Sequence, residues 1–98
     1  MPYMIETWDK PNHLHVRNRE RPAHLEFLSK HAAKLLACGA KLDDDGQGAH
    51  GGLYVLDVET REEAERFIAD DPFTHAALFE RVVIVRWRKA FLDGRSYL

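Results

Sequence analysis

The spacing of apolar residues changes period along this chain, and the order of the changes leaves few folds open. Alternation by two marks a strand and a repeat near 3.6 marks a helix, because those are the angular steps of side chains about each backbone. Residues 3–8 (YMIETW) alternate, with Tyr3, Ile5 and Thr7 opposite Met4, Glu6 and Trp8, and a proline-containing DKPNH closes the strand. Residues 13–21 are polar and carry no clear period. From 22 to 38 the pattern is helical, with Leu25, Leu28, Ala32, Leu35 and Leu36 on one stripe. Pro22 falls in the first turn of that helix, where its missing N–H costs nothing, and Gly39 falls at the C′ position.

The second half repeats the scheme. Residues 40–44 read as a short strand, 45–52 (DGQGAHGG) as a glycine-rich connection and 53–59 (LYVLDVE) as a strand. Thr60 and Glu63 form a capping box for a helix whose stripe is Ala64, Phe67 and Ile68. A short helix over 72–79 and a strand over 81–88 (RVVIVRWR) follow. The order β-α-β-β-α-(short α)-β is the split βαβ, or ferredoxin-like, arrangement: an α+β domain over 1–98 with two helices on one face of a four-stranded antiparallel sheet. Strands with apolar residues on both sides, in a chain too short for a third layer, imply a homodimer closed through the open sheet face, with Tyr3 and Trp87 packing there.

Length and charge exclude several classes. A chain of 98 residues is one domain, and a net charge of −2 with a pI near 6.3 argues against nucleic acid, which needs a concentrated basic face. The basic runs at 17–21 and 86–89 are read as solvated edges. One cysteine, Cys38, excludes an internal disulfide; its apolar neighbours in LLACGA make it an inert buried thiol suited to a reducing cytosol. No apolar run approaches the ~20 residues that cross a bilayer, and the first residues lack the layout of a signal peptide, so a cytoplasmic protein without a membrane partner is expected.

The joint "IADDPFTHAALFE" carries the chemistry. Proline at 72 pushes Asp71 out of the α region, so the preceding helix ends near Asp70 and Asp71 becomes N-cap of the next, with Pro72 at N1. On the residues alone Asp71 is either only that cap or also half of an acid/base pair. The partner it would need is His24, which borders the stripe of the first helix.

Several motifs in this order resemble the YciI-like proteins: RPAHLEFL with Arg21, His24 and Leu25; GGLYVLDVETREEAERFIADDPF with Asp71, Pro72 and Phe73; and RVVIVRW in the last strand. The resemblance covers most of the chain. It implies a dimeric α+β barrel and a pocket in which a histidine–aspartate pair maps onto His24 and Asp71. Some members resemble or act as dehydrochlorinases on chlorinated hydroxyquinols, and the wider fold includes muconolactone isomerases and cofactor-free monooxygenases. The connecting loop, DDDGQGAHGG, departs from the family, which often has a proline after an early glycine.

The expected function is a cofactor-free lyase or isomerase acting on a small cyclic or aromatic-derived metabolite, with His24 as base and Asp71 as its orienter. Arg21, Phe73 and His75 are the candidates for holding that small-molecule ligand. Two rivals stand beside it: a non-catalytic ligand-binding or regulatory dimer that uses the same cleft, and a cofactor-free oxygenase argued from fold alone. His13 and His15 lack further ligands at metal spacing, so no metal is expected. The glycines of GQGAHGG do not open a helix as a phosphate loop would; they read as a hairpin loop or a lid.

Overall fold

The computed structural model describes residues 2–98. Along the chain run β1 (Tyr3–Asp9), α1 (Leu14–Lys30), a 3-10 turn (Ala32–Lys34), β2 (Leu35–Ala40), β3 (Gly51–Leu56), α2 (Arg61–Asp70), α3 (Pro72–His75) and β4 (Phe79–Arg86). A tail hairpin, β5 (Phe91–Leu92) and β6 (Arg95–Ser96), ends it. The four long strands form one antiparallel sheet in the order β2-β3-β1-β4. This is the split βαβ order expected from the sequence.

The first helix departs from expectation. It begins at Leu14, eight residues before Pro22, and ends at Lys30, so Pro22 lies inside it. Local signals at its start are weak: His13 makes no side-chain cap bond, and its Nδ1–H instead donates to the Pro11 carbonyl at 2.8 Å. Tertiary contacts supply what the sequence lacks. Val16 packs with Phe73 and Leu78, and Arg17 forms a buried ion pair with Asp9 at 2.7 Å. The proline is tolerated because it and Asn18, whose carbonyl it leaves unpaired, both lie on the exposed side.

Residues 35–40 are consequently strand rather than helix, and the short strand expected at 40–44 is absent. Leu35 pairs with Leu56, Cys38 with Tyr54 and Ala40 with Gly52, so β2 covers the outer edge of β3. Gly39 sits in this strand and not at a helix end. Cys38 is exposed in the isolated chain, contrary to the burial expected for it. The helix expected over 72–79 stops at His75, and Ala77, with φ of 57°, turns the chain into β4. In the tail, Asp93 and Gly94 both have positive φ, 54° and 77°, the geometry a two-residue hairpin demands.

The main core lies between the sheet and α2. Tyr3 and Ile5 from β1, Tyr54 and Leu56 from β3, and Ala64, Phe67 and Ile68 from α2 are buried together with Val58. Thr60 caps α2 by accepting from the Glu63 amide at 3.2 Å, and the Glu63 carboxylate returns to accept from the Thr60 hydroxyl at 3.3 Å. Tyr3 faces this core from a central strand, not the outer face assigned to it from the sequence.

The other sheet face carries Met4, Glu6 and Trp8 beside Val85, Val83 and Leu53. Leu53 and Val85 stay about two-fifths exposed there (40% and 43%). Lys41 lies 3.9 Å and Arg81 4.7 Å over the Trp8 ring, and Lys41 pairs with Glu6 at 3.2 Å. No helix among the described residues is long and apolar enough to cross a membrane.

Candidate active site

Asp71 sits where two helices meet. Its backbone, at φ −64° and ψ 130°, ends α2 and starts α3, as Pro72 requires. The side chain is fully buried, and every acceptor position is used. Oδ1 takes the amide N–H of Phe73 at 2.9 Å, which is the cap bond, and also His24 Nδ1 at 2.9 Å. Oδ2 takes the same Nδ1 at 3.0 Å and the Tyr54 hydroxyl at 2.8 Å. A carboxylate offers only lone pairs, so the imidazole carries its proton on Nδ1 and donates it. Nε2 has no hydrogen-bond partner among the described residues, and His24 lines a cavity of about 400 Å³. That volume suits a small ring compound.

Two residues that sequence reasoning passed over complete the site. Tyr54, 2% exposed, anchors Asp71 from β3, and its phenol is pushed far above the ordinary range. Burial is the main cause, followed by the charge of Asp71 and the hydrogen bond to it. The same causes favour the protonated phenol, which donates to Asp71. The one available signal was alternation, since Tyr54 and Leu56 share a side of LYVLDVE.

Arg17 is the other. Read as part of a solvated basic run, it is in fact 6% exposed, with Nε and Nη2 donating to the two oxygens of Asp9 at 2.7 and 3.2 Å. Its position seven residues before His24, on the same side of a helix, was the missed clue. Arg17 and His24 stand two turns apart, about 10 Å along the axis. The ring of Phe73, 4.8 Å from the guanidinium carbon and 4.0 Å from the imidazole centroid, lies between them.

Of the remaining candidates, Arg21 and Phe73 line the cavity with His24. His75 is exposed and does not line it. Cys38 does, and its thiol is pushed up to about 11, chiefly by desolvation and then by the Asp71 charge, so it is an unreactive wall despite its exposure. Gly51 and Gly52, expected in the loop, open β3 and form part of the wall. A Cβ at Gly51 would run into the Thr7 carbonyl, and Gly52 donates its N–H to Thr7 Oγ1 at 2.9 Å. Glycine is thus required by close strand approach rather than by a lid. His31 packs on Phe27 and Phe67 outside this cavity. The rings of His13 and His15 lie 5.9 Å apart, tilted by 38°, and no cluster of three or more metal-binding side chains occurs among the described residues.

A split βαβ sheet with a histidine–aspartate pair at the mouth of a cleft defines a small ferredoxin-like protein of the dimeric α+β barrel class. The YCII-related domain family matches residues 1–88, and the chain belongs to it. Protein YciI of Escherichia coli O6:H1 is 31% identical over 98 residues, covering 93% of this chain and all of that protein. An uncharacterized protein of Haemophilus influenzae is 30% identical with the same coverage. Among solved structures, 5-chloro-2-hydroxyhydroquinone dehydrochlorinase (TftG) from Burkholderia phenoliruptrix AC1100, in complex with 2,5-dihydroxybenzoquinone, superposes with a TM-score of 0.83 at 32% identity, covering 90% of this chain and 94% of that one. Protein Atu4242 from Agrobacterium tumefaciens shares the fold, with a TM-score of 0.53 at 16% identity over 95% and 98% of the two chains.

Proposed function

We propose that this protein is a cofactor-free enzyme of the lyase or isomerase type, in which His24 removes a proton from carbon on a small cyclic or aromatic-derived metabolite. One observation carries the reading: His24 Nδ1 is held by both oxygens of a fully buried carboxylate, while the residue itself lines the cavity. Asp71 fixes the tautomer that leaves a lone pair on Nε2, and its charge stabilises the imidazolium that forms when Nε2 takes the proton. In an elimination the C–H electron pair becomes the new π bond, the leaving group departs with its own pair, and His24 returns the proton to water. Tyr54 keeps Asp71 in place throughout.

The similarity to TftG supports a dehydrochlorination and makes a chlorinated hydroxyhydroquinone the first substrate to try. In the keto tautomer of that compound the chlorine sits on a tetrahedral carbon; His24 takes the proton of a second ring hydroxyl, the O–H pair shifts through the ring to form the quinone, and chloride leaves with its own pair. Chloride release from 5-chloro-2-hydroxyhydroquinone, followed with absorbance of the quinone product, tests it directly. Wild type should release chloride, and His24→Gln should lose on the order of 10²-fold or more in rate. A His24→Gln variant as fast as wild type would remove the base and sink the proposal. The working unit of this reading is a cytoplasmic homodimer joined through the open sheet face, supported by the exposed Leu53 and Val85 there.

A further inference from the structure

Every charged side chain on the wall of the catalytic cavity is cationic. Arg17 and Arg21 line it one turn apart on α1, and no aspartate or glutamate does, in a chain whose net charge is −2. Asp71 is sealed behind His24 and Tyr54 with no exposed surface, and Asp9 is taken up by its pair with Arg17.

Arg17 is built into place rather than draped over the surface. Asp9 engages Nε and Nη2, and the ring of Phe73 lies under the guanidinium. A guanidinium has five N–H donors, and Asp9 takes two of them. Nη1 has no hydrogen-bond partner among the described residues, and since no buried polar side-chain atom there is left unsatisfied, it keeps some exposed surface. Arg17 itself lines the cavity, so this nitrogen is the one free to meet a ligand. Arg21 makes no hydrogen bond or ion pair to the protein among the described residues. The wall also includes Leu25, Leu28, Leu35, Gly51 and Gly52, which offer apolar surface to the flat face of a ring and no counter-ion.

We infer that Arg17, with Arg21, is the specificity determinant of this cavity and selects planar ring compounds carrying an ionised oxygen: a carboxylate, phenolate or enolate. The inference rests on the proposed His24 chemistry only for its purpose, since the same guanidinium pair would hold the negative charge that develops on a ring oxygen when His24 removes a neighbouring proton. Asp9 acts through Arg17 and is a positioning residue. Its task is to hold the fork with its free edge toward the cavity.

The test compares two ligands of one shape and different charge, 2,5-dihydroxybenzoate and 2,5-dihydroxybenzamide, titrated into the full-length protein by calorimetry and by NMR shift changes. The carboxylate should bind at least about tenfold more tightly, as charge-assisted bonds to two guanidinium groups require. Arg21→Gln and Arg17→Lys should each shrink that preference, and raising the salt concentration should shrink it less for the partly enclosed Arg17 than for Arg21. Because Arg17→Gln strands Asp9 and can unfold the chain, the paired variant Asp9→Asn/Arg17→Gln keeps the site testable; with only Arg21 left, it should show a clearly smaller preference for the carboxylate than wild type. His24→Gln should retain the preference while losing turnover, which separates this inference from the catalytic one. Equal affinity of wild type for the two ligands, or no binding of either, overturns it. So does an undiminished preference in the paired variant.

Discussion

The imidazole of His24 lies flat on the phenyl ring of Phe73, with centroids 4.0 Å apart and planes 16° from parallel. Phe73 is also the residue whose amide donates to Asp71, so the cap that starts α3 and the stack that orients the histidine share one residue. The proposed base is fixed in two directions: edge-on by the carboxylate and face-on by the ring. Perturbing α3 should therefore disturb the histidine.

Asp71→Asn keeps an oxygen for the Phe73 amide, and asparagine caps as well as aspartate. A buried amide cannot accept from His24 and Tyr54 together as two carboxylate oxygens do. We expect a stability loss of roughly 1–3 kcal/mol and a fall in turnover of about 10²-fold or more. Asp70→Asn, on the exposed neighbour, should change neither. Thermal melts and chloride release on the two variants decide it: if both retain full activity, ADDPF is only a helix stop followed by a helix start.

Tyr54→Phe removes the 2.8 Å bond to Asp71 and should destabilise the fold by roughly 1–3 kcal/mol at neutral pH, as loss of a donor to a buried charged group does. Its pH signature is distinct. A phenol in the unfolded chain loses its proton near pH 10, whereas the folded one keeps it because burial and Asp71 oppose ionisation. Above about pH 10 the folded state holds the extra proton, so stability falls as pH rises, by about 1.4 kcal/mol per unit for one group. Urea melts between pH 8 and 11.5 should show that decline in wild type, and a shallower one in Tyr54→Phe. Parallel curves would mean that the phenol titrates normally.

The homodimer expectation rests on the open face. Sedimentation or light scattering should return twice the 11.3 kDa of the chain at micromolar concentration. A Leu53→Asp/Val85→Asp variant, charged at two exposed apolar positions of that face, should run as a monomer. A monomeric wild type contradicts the expectation.

Pro22→Ala restores the missing helical N–H inside α1. The helix should gain, and after allowing for the looser unfolded chain we expect about 2 kcal/mol of added stability, read as a higher urea midpoint. A drop instead would mean that the bend at Pro22 is needed to aim Arg17 and His24 at the same ring.

How far the sequence reached follows from the range of the forces involved. The joint at Asp71 was legible because proline acts on its immediate neighbour, and the capping box at Thr60 because it closes within one turn. Strand alternation placed β1, β3 and β4 to within a few residues. By itself the sequence determined the element order, the helix break at residues 70–72 and the candidacy of His24 beside Asp71. The start of α1 was hidden, because Val16 and Arg17 are held by Phe73, Leu78 and Asp9 from other elements, and the local cap is weak. Residues 35–40 satisfied a helical stripe equally well, and only the unpaired edge of β3 made them a strand. Tertiary structure alone decided that Tyr54, 17 positions before Asp71, and His24, 47 positions before it, meet on one carboxylate. It also decided that a buried Arg17 faces the cavity. Side-chain periodicity reports which face of an element is apolar; which polar group that face meets depends on how the sheet and the helices close over one another.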